Sequence, residues 1–104
     1  MERFGDIRVD FGRFELHNRD TVYSLTTRET ELLRYFLQYD DVVLSRSRLQ
    51  SDVWKDSAEI TSRSIDNFVM RLRKMIEADP ATPRHLISIC GTGYRFIREP
   101  DAPT

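Results

Sequence analysis

Apolar and polar residues alternate along the first quarter of the chain, and the period then changes at Thr26. Ile7 and Val9 alternate with Arg8 and Asp10, and Phe14 and Leu16 with Glu15 and His17. Gly5-Asp6, Gly12 and Asn18-Arg19-Asp20 punctuate these patches, and Val22-Tyr23-Ser24-Leu25 follows as another. A period of two with one apolar face predicts three or four short antiparallel strands.

From Thr26 onward the spacing is helical. Thr26-x-x-Glu29 has the form of a capping box, in which the hydroxyl and the carboxylate satisfy each other's free backbone amides. Leu32, Leu33, Phe36 and Leu37 supply the apolar stripe, and Gln38-Tyr39-Asp40-Asp41 ends it. Val42-Val43-Leu44 is a brief extended stretch. Ser45 is the N-cap of a second helix, with Leu49, Val53 and Trp54 on its apolar side. Lys55 to Glu59 is a polar loop. Thr61 or Ser62 caps a third helix that runs to Ala78, where Asp79-Pro80 stops it. Leu86-Ile87-Ser88-Ile89 and Tyr94-Arg95-Phe96-Ile97 flank a Gly-rich turn and predict a hairpin. The expected layout is one α+β domain over residues 1–104. An antiparallel sheet spans 1–25, three helices 26–79, a hairpin 85–97 and a frayed polar tail 98–104.

The third helix has two unlike faces. Ile65, Val69, Leu72 and Ile76 fall on one side at about 100° per residue, with Phe68 and Met75 on its flank. Arg63, Ser64, Asn67, Met70, Arg71 and Lys74 fall on the other. Arg, Lys, Asn and Ser are the side chains that pair with phosphates and base edges, so this face points to nucleic acid. Asp66 and Arg73 lie near the core boundary. Seven residues apart, they are too remote for an ion pair within the helix, and each is expected to find a partner elsewhere.

Composition first opposes and then supports that reading. The 104 residues carry a net charge of −1, which does not suit a polyanion ligand. The distribution is uneven: residues 60–98 sum to +4, residues 1–59 to −3 and the tail from Glu99 to −2. A basic segment on an acidic remainder makes a polarised surface. Fourteen of the sixteen cations are Arg, whose planar fork suits phosphate and guanine. At 39% hydrophobic and 32% charged residues, the chain has a globular composition. No apolar run approaches the roughly 20 residues of a membrane helix, and the N-terminus lacks a signal-type stretch. One cysteine cannot form an internal disulfide, which fits a reducing cytoplasm. His17, His85 and Cys90 lack metal-ligand spacing, and there is no nucleophile elbow or phosphate-binding Gly loop. No catalytic residue, metal or cofactor is expected.

Four segments together resemble the DNA-binding effector domain of OmpR/PhoB-type response regulators, a winged helix-turn-helix. They are Leu25-Thr26-x-x-Glu29 with Leu32-Leu33; Leu44-Ser45-Arg46-x-x-Leu49 with Val53-Trp54; Arg63-x-Ile65-Asp66 with Leu72-Arg73-Lys74; and Gly91-Thr92-Gly93-Tyr94-Arg95-Phe96. The match runs from about Phe4 to Ile97. The resemblance implies a four-stranded N-terminal sheet, a three-helix core and a hairpin wing. It implies sequence-specific binding to promoter DNA, with the third helix in the major groove and Arg95 of the wing in the minor groove.

On that pattern Arg71 and Asn67 are the base-reading candidates, and Arg63, Ser64 and Lys74 the phosphate contacts. Thr92, Tyr94 and Arg95 are candidates in the wing, and Arg46, Arg48 and Trp54 at the DNA backbone. The resemblance makes the loop Lys55, Asp56, Ser57, Ala58 and Glu59 a candidate contact for RNA polymerase. Met70 and Phe68 depart from the family, which usually has a polar or basic residue and often His there; Met70 could meet a thymine methyl, and Phe68 is expected to pack. Cys90 stands where relatives often have Arg. A receiver domain is absent from this sequence, and direct-repeat half-sites would seat two copies. The alternative is a winged helix that binds protein instead of DNA, for which more aromatics would be expected on the exposed face.

Overall fold

The computed structural model describes residues 1–55 and 60–100. Four strands open the chain: β1 (Glu2–Phe4), β2 (Ile7–Asp10), β3 (Glu15–Asn18) and β4 (Thr21–Ser24). They form an antiparallel sheet in chain order. In register, Phe4 faces Ile7 and Val9 faces Leu16. All four side chains are buried, while Arg3 and Arg8 face outward. The two-residue turns at Gly5-Asp6 and Arg19-Asp20 carry positive φ at Gly5 and Arg19.

Helix α1 (Thr27–Gln38) begins at the full capping box of Thr26 and Glu29. Ser45 caps α2 (Arg46–Val53) and Thr61 caps α3 (Ser62–Ile76), each by accepting from a backbone amide three residues on. The apolar stripe of α3 is buried as the wheel requires: Ile65, Val69, Leu72 and Ile76 are at most 4% exposed. Each such side chain stabilises the fold by about 1.5–3 kcal/mol.

Helix α3 ends earlier than the expected Ala78. Glu77 has left the helix with extended backbone. Its carboxylate is buried and accepts from the amides of Arg84 (2.9 Å), His85 (3.1 Å) and Leu86 (2.8 Å). The helix thus stops three residues before Pro80, where Glu77 turns to bond the start of the next strand.

The wing is larger than a hairpin. Strands β6 (Leu86–Ile89) and β7 (Gly93–Phe96) pair as expected, and β5 (Val43–Ser45) pairs with the other edge of β7. The sheet order is β5-β7-β6. Gly93 lies opposite Ser45, and a Cβ there would stand 2.1 Å from the Leu44 carbonyl oxygen. Close approach explains this glycine; positive φ, +71°, explains Gly91 at the turn. The two sheets meet through Phe4, which stands edge-on to Phe96 at 5.1 Å and to His85 at 5.2 Å. Arg98 belongs to this packed end: its amide donates to Asp40 and its guanidinium to Glu2. Residues 101–104 of the expected frayed tail lie outside the described residues.

Candidate nucleic-acid interface

The outward face of α3 presents Arg63, Asn67, Met70, Arg71 and Lys74, all exposed. Ser64 is half-buried. Its amide donates to the Thr61 hydroxyl, and the two hydroxyls lie 3.1 Å apart. Met70 is 54% exposed, an apolar residue among donors. Among the described residues, Arg63, Asn67 and Lys74 make no side-chain hydrogen bond or ion pair, and Arg71 touches only the ring of Phe68, 4.8 Å away. These side chains are therefore available to a ligand.

The other cationic candidates are engaged within the protein. Arg46 Nε donates to Asp66 at 2.8 Å, and Tyr94 donates its hydroxyl to the same oxygen at 2.5 Å. The Arg46 and Arg73 guanidinium groups both lie over the Tyr94 ring, at 5.2 and 5.6 Å. Arg73 also donates to the Leu86 carbonyl and the Ser88 hydroxyl. Asp66 thus joins the start of α2, the recognition helix and β7 at one atom, while Arg73 pins the other end of α3 to β6. The Arg46 amide meets the Thr92 carbonyl at 3.4 Å, which ties the wing turn to α2. Asp66 and Arg73 are each paired outside their own helix, as expected from their spacing.

Arg48 turns toward α1, donating to the Tyr35 hydroxyl at 2.9 Å and lying 4.6 Å from the Tyr39 ring centre. Tyr35 in turn donates to Asp52. Trp54 is 3% exposed, with Phe68 edge-on at 5.3 Å and Arg28 over its ring. Tyr94 is buried. Arg95 lies mid-strand opposite Val43 and Ile87, with its guanidinium 3.5 Å from Asp41. Thr92 is exposed at the wing turn and Lys55 beside the α2–α3 loop; Asp56, Ser57, Ala58 and Glu59 lie outside the described residues. The structure therefore gathers the α3 candidates and Thr92 at the surface. It holds Arg46, Arg48, Trp54, Tyr94 and Arg95 in internal contacts.

Residues 20–96 match the family model described as "Transcriptional regulatory protein, C terminal". The chain belongs to this family. It is a winged helix of the OmpR/PhoB type, the DNA-binding class of response-regulator output domain. It is 38% identical over 93 residues to the sensory transduction protein RegX3 of Mycobacterium tuberculosis, covering 88% of this chain and 40% of that protein. It is 35% identical over 97 residues to the KDP operon transcriptional regulatory protein KdpE of Escherichia coli, covering 93% and 43%. The chain thus spans about two fifths of the length of these relatives. The response regulator DrrB of Thermotoga maritima, an OmpR/PhoB homologue, superposes with a TM-score of 0.80 at 30% identity over 92% of this chain and 43% of that one. The RstA DNA-binding domain of Klebsiella pneumoniae, solved with the RstA box, shares the fold at a TM-score of 0.77 and 20% identity, over 93% and 96% of the two chains.

Phe68 packs as its place on the wheel predicts, while its contact with Arg71 and the contact of Arg28 with Trp54 were not read from the sequence. The spacing of Phe68 to Arg71, three residues on one helix, carried a local hint; Arg28 is far away in sequence and carried none.

The Asp66 junction also predicts a pH response. Burial, and then the hydrogen bond to Asp66, push the Tyr94 hydroxyl above the ordinary tyrosine value of about 10. Folding therefore favours the protonated phenol. The resulting stability is complete below about pH 10 and is lost as pH rises through the raised value. Tyr35 is shifted the same way, by burial first and then by Asp52. Alkaline unfolding should thus be steeper in the parent than in Tyr94→Phe, which should itself cost about 1–2 kcal/mol near neutrality. Denaturant midpoints measured from pH 8 to 11 check this, and parallel profiles would contradict the junction.

Proposed function

We propose that this domain binds duplex DNA sequence-specifically, with α3 in the major groove and the wing turn over the adjacent minor groove. The carrying observation is the α3 face: Arg63, Asn67, Arg71 and Lys74 are exposed with their hydrogen-bond donors free among the described residues, while Arg46, Arg48 and Arg73 beside them are internally paired. Arg71 and Asn67 would read base edges, and Met70 could cover a thymine methyl. Arg63, Ser64 and Lys74 would hold phosphates and set the register. Thr92 would meet the backbone from the wing. Arg95, beside Asp41 and partly exposed, would enter the minor groove, and Arg46, Arg48, Trp54 and Tyr94 would support the reading elements through their internal contacts. The domain has no catalytic role in this reading, and a duplex-DNA ligand implies work in the cytoplasm.

Further parts rest on the family resemblance. Two copies would occupy direct-repeat half-sites at a promoter, the 55–59 loop would meet RNA polymerase, and a receiver domain would belong to the longer protein.

Selection of bound duplexes from a random pool, at stated salt, tests the central reading; an enriched motif supports it, and an unenriched pool overturns it. Affinity for the enriched duplex should also fall with salt. If Arg63 and Lys74 each neutralise one phosphate, the log–log slope is about −1.8, or roughly 12-fold between 50 and 200 mM. A flat response measured by fluorescence anisotropy would remove the phosphate contacts.

A further inference from the structure

Arg71 differs from the other cations on its face. Arg63 and Lys74 make no side-chain hydrogen bond, ion pair or ring contact among the described residues, whereas the Arg71 guanidinium lies over the Phe68 ring at 4.8 Å. Arg71 makes no hydrogen bond or ion pair among the described residues, so the N–H groups that form bidentate bonds stay free beside this contact. The ring is itself braced. Trp54 stands edge-on to Phe68 at 5.3 Å and 67°, and Trp54 is 3% exposed. Arg28 of α1 lies over the Trp54 ring at 5.6 Å and donates to the Val53 carbonyl. Four side chains thus connect α1, the end of α2 and the outer face of α3.

We propose that Phe68 is a positioning residue for base readout: braced by Trp54, its ring presets the direction of the Arg71 guanidinium before DNA arrives. The inference rests on the DNA-binding reading above and adds a specificity device to it. A flexible exposed Arg gives up rotamer freedom on binding; one already held over a ring gives up less, and its fork is aimed at fewer base positions. A purely apolar packing role for Phe68 would need no ring.

Phe68→Leu keeps the apolar contact and removes the ring, whereas Phe68→Tyr keeps the ring. On the duplex enriched by the parent domain, Phe68→Leu should weaken binding about 2- to 5-fold. It should also broaden base preference at the position that Arg71→Ala relaxes. Phe68→Tyr should bind as the parent does. In an Arg71→Ala background, Phe68→Leu should have no further effect, and the salt slope should be unchanged. Equal losses in both backgrounds, or no loss in the parent, would overturn the positioning role while leaving DNA binding intact. If the parent enriches no duplex, both readings fall. A measurement without DNA tests the preset geometry directly. The Arg71 Nε–H resonance of the free domain should show a ring-current shift that Phe68→Tyr retains and Phe68→Leu abolishes. An unshifted resonance in the parent overturns the proposal.

Discussion

Gly93→Ala is expected to lower the unfolding free energy by about 3 kcal/mol or more, and to loosen the wing first. The added Cβ would lie 2.1 Å from the Leu44 carbonyl oxygen, 2.9 Å from Ser45 Cα and 3.0 Å from the Leu44 carbonyl carbon. All three are backbone atoms, so no side-chain rotation relieves the clash, and β5 must move away from β7. Overpacking usually costs about 1–3 kcal/mol, and a rigid backbone neighbour puts this substitution at or beyond the top of that range. The damage should spread along the chain, because Ser45 also caps α2 and the Arg46 amide meets the wing turn. Hydrogen exchange should accelerate at the β5 and β7 amides before the N-terminal sheet responds, and the urea midpoint should fall. Gly91→Ala is the natural control. Nothing lies within 4 Å of its Cβ position, so only the strain of its positive φ is felt, about 1–2 kcal/mol. A Gly93→Ala protein as stable as the parent would mean that the β5–β7 contact is not as close as described.

The second large effect is at Glu77. Glu77→Ala removes the acceptor for three amides, those of Arg84, His85 and Leu86, at a position 6% exposed. An orphaned buried donor costs about 1–3 kcal/mol. Partial rehydration should hold the total to about 3–5 kcal/mol, which is at the exceptional end for one substitution. Glu77→Gln keeps one acceptor oxygen and should lose roughly half as much. The functional consequence is mechanical. The same carboxylate links the exit of α3 to the entry of β6, so its loss removes one of the ties between α3 and the wing and leaves those of Asp66 and Arg73. Two-state urea denaturation measures the first claim. Accelerated exchange at the amides of residues 84–86 measures the second, and unaltered protection there would refute the anchoring role.

Much of the fold was legible because much of its chemistry is local. Thr26, Ser45 and Thr61 each cap a helix by bonding an amide three residues away, and such spacing is visible in any sequence. The buried stripe of α3 follows from its period, and so does the exposed face that carries Arg63, Asn67, Met70, Arg71 and Lys74. The internal pairing of Arg46, Arg48 and Tyr94 was not legible for one shared reason. A cation's sequence neighbourhood does not reveal its partner when that partner sits on another element. Arg46 finds Asp66 twenty residues on, Arg48 finds Tyr35 thirteen residues back, and Tyr94 finds Asp66 twenty-eight residues back.

The sequence by itself determined the order of elements, the caps that begin each helix and the polar side of α3, since all of these depend on residues within one or two turns of each other. Only the tertiary structure decided which donors on that side stay free, that β5 completes the wing, and that the recognition helix ends at Glu77. Those outcomes depend on pairings between separate elements, where close approach and burial, rather than helical or strand spacing, select the partner.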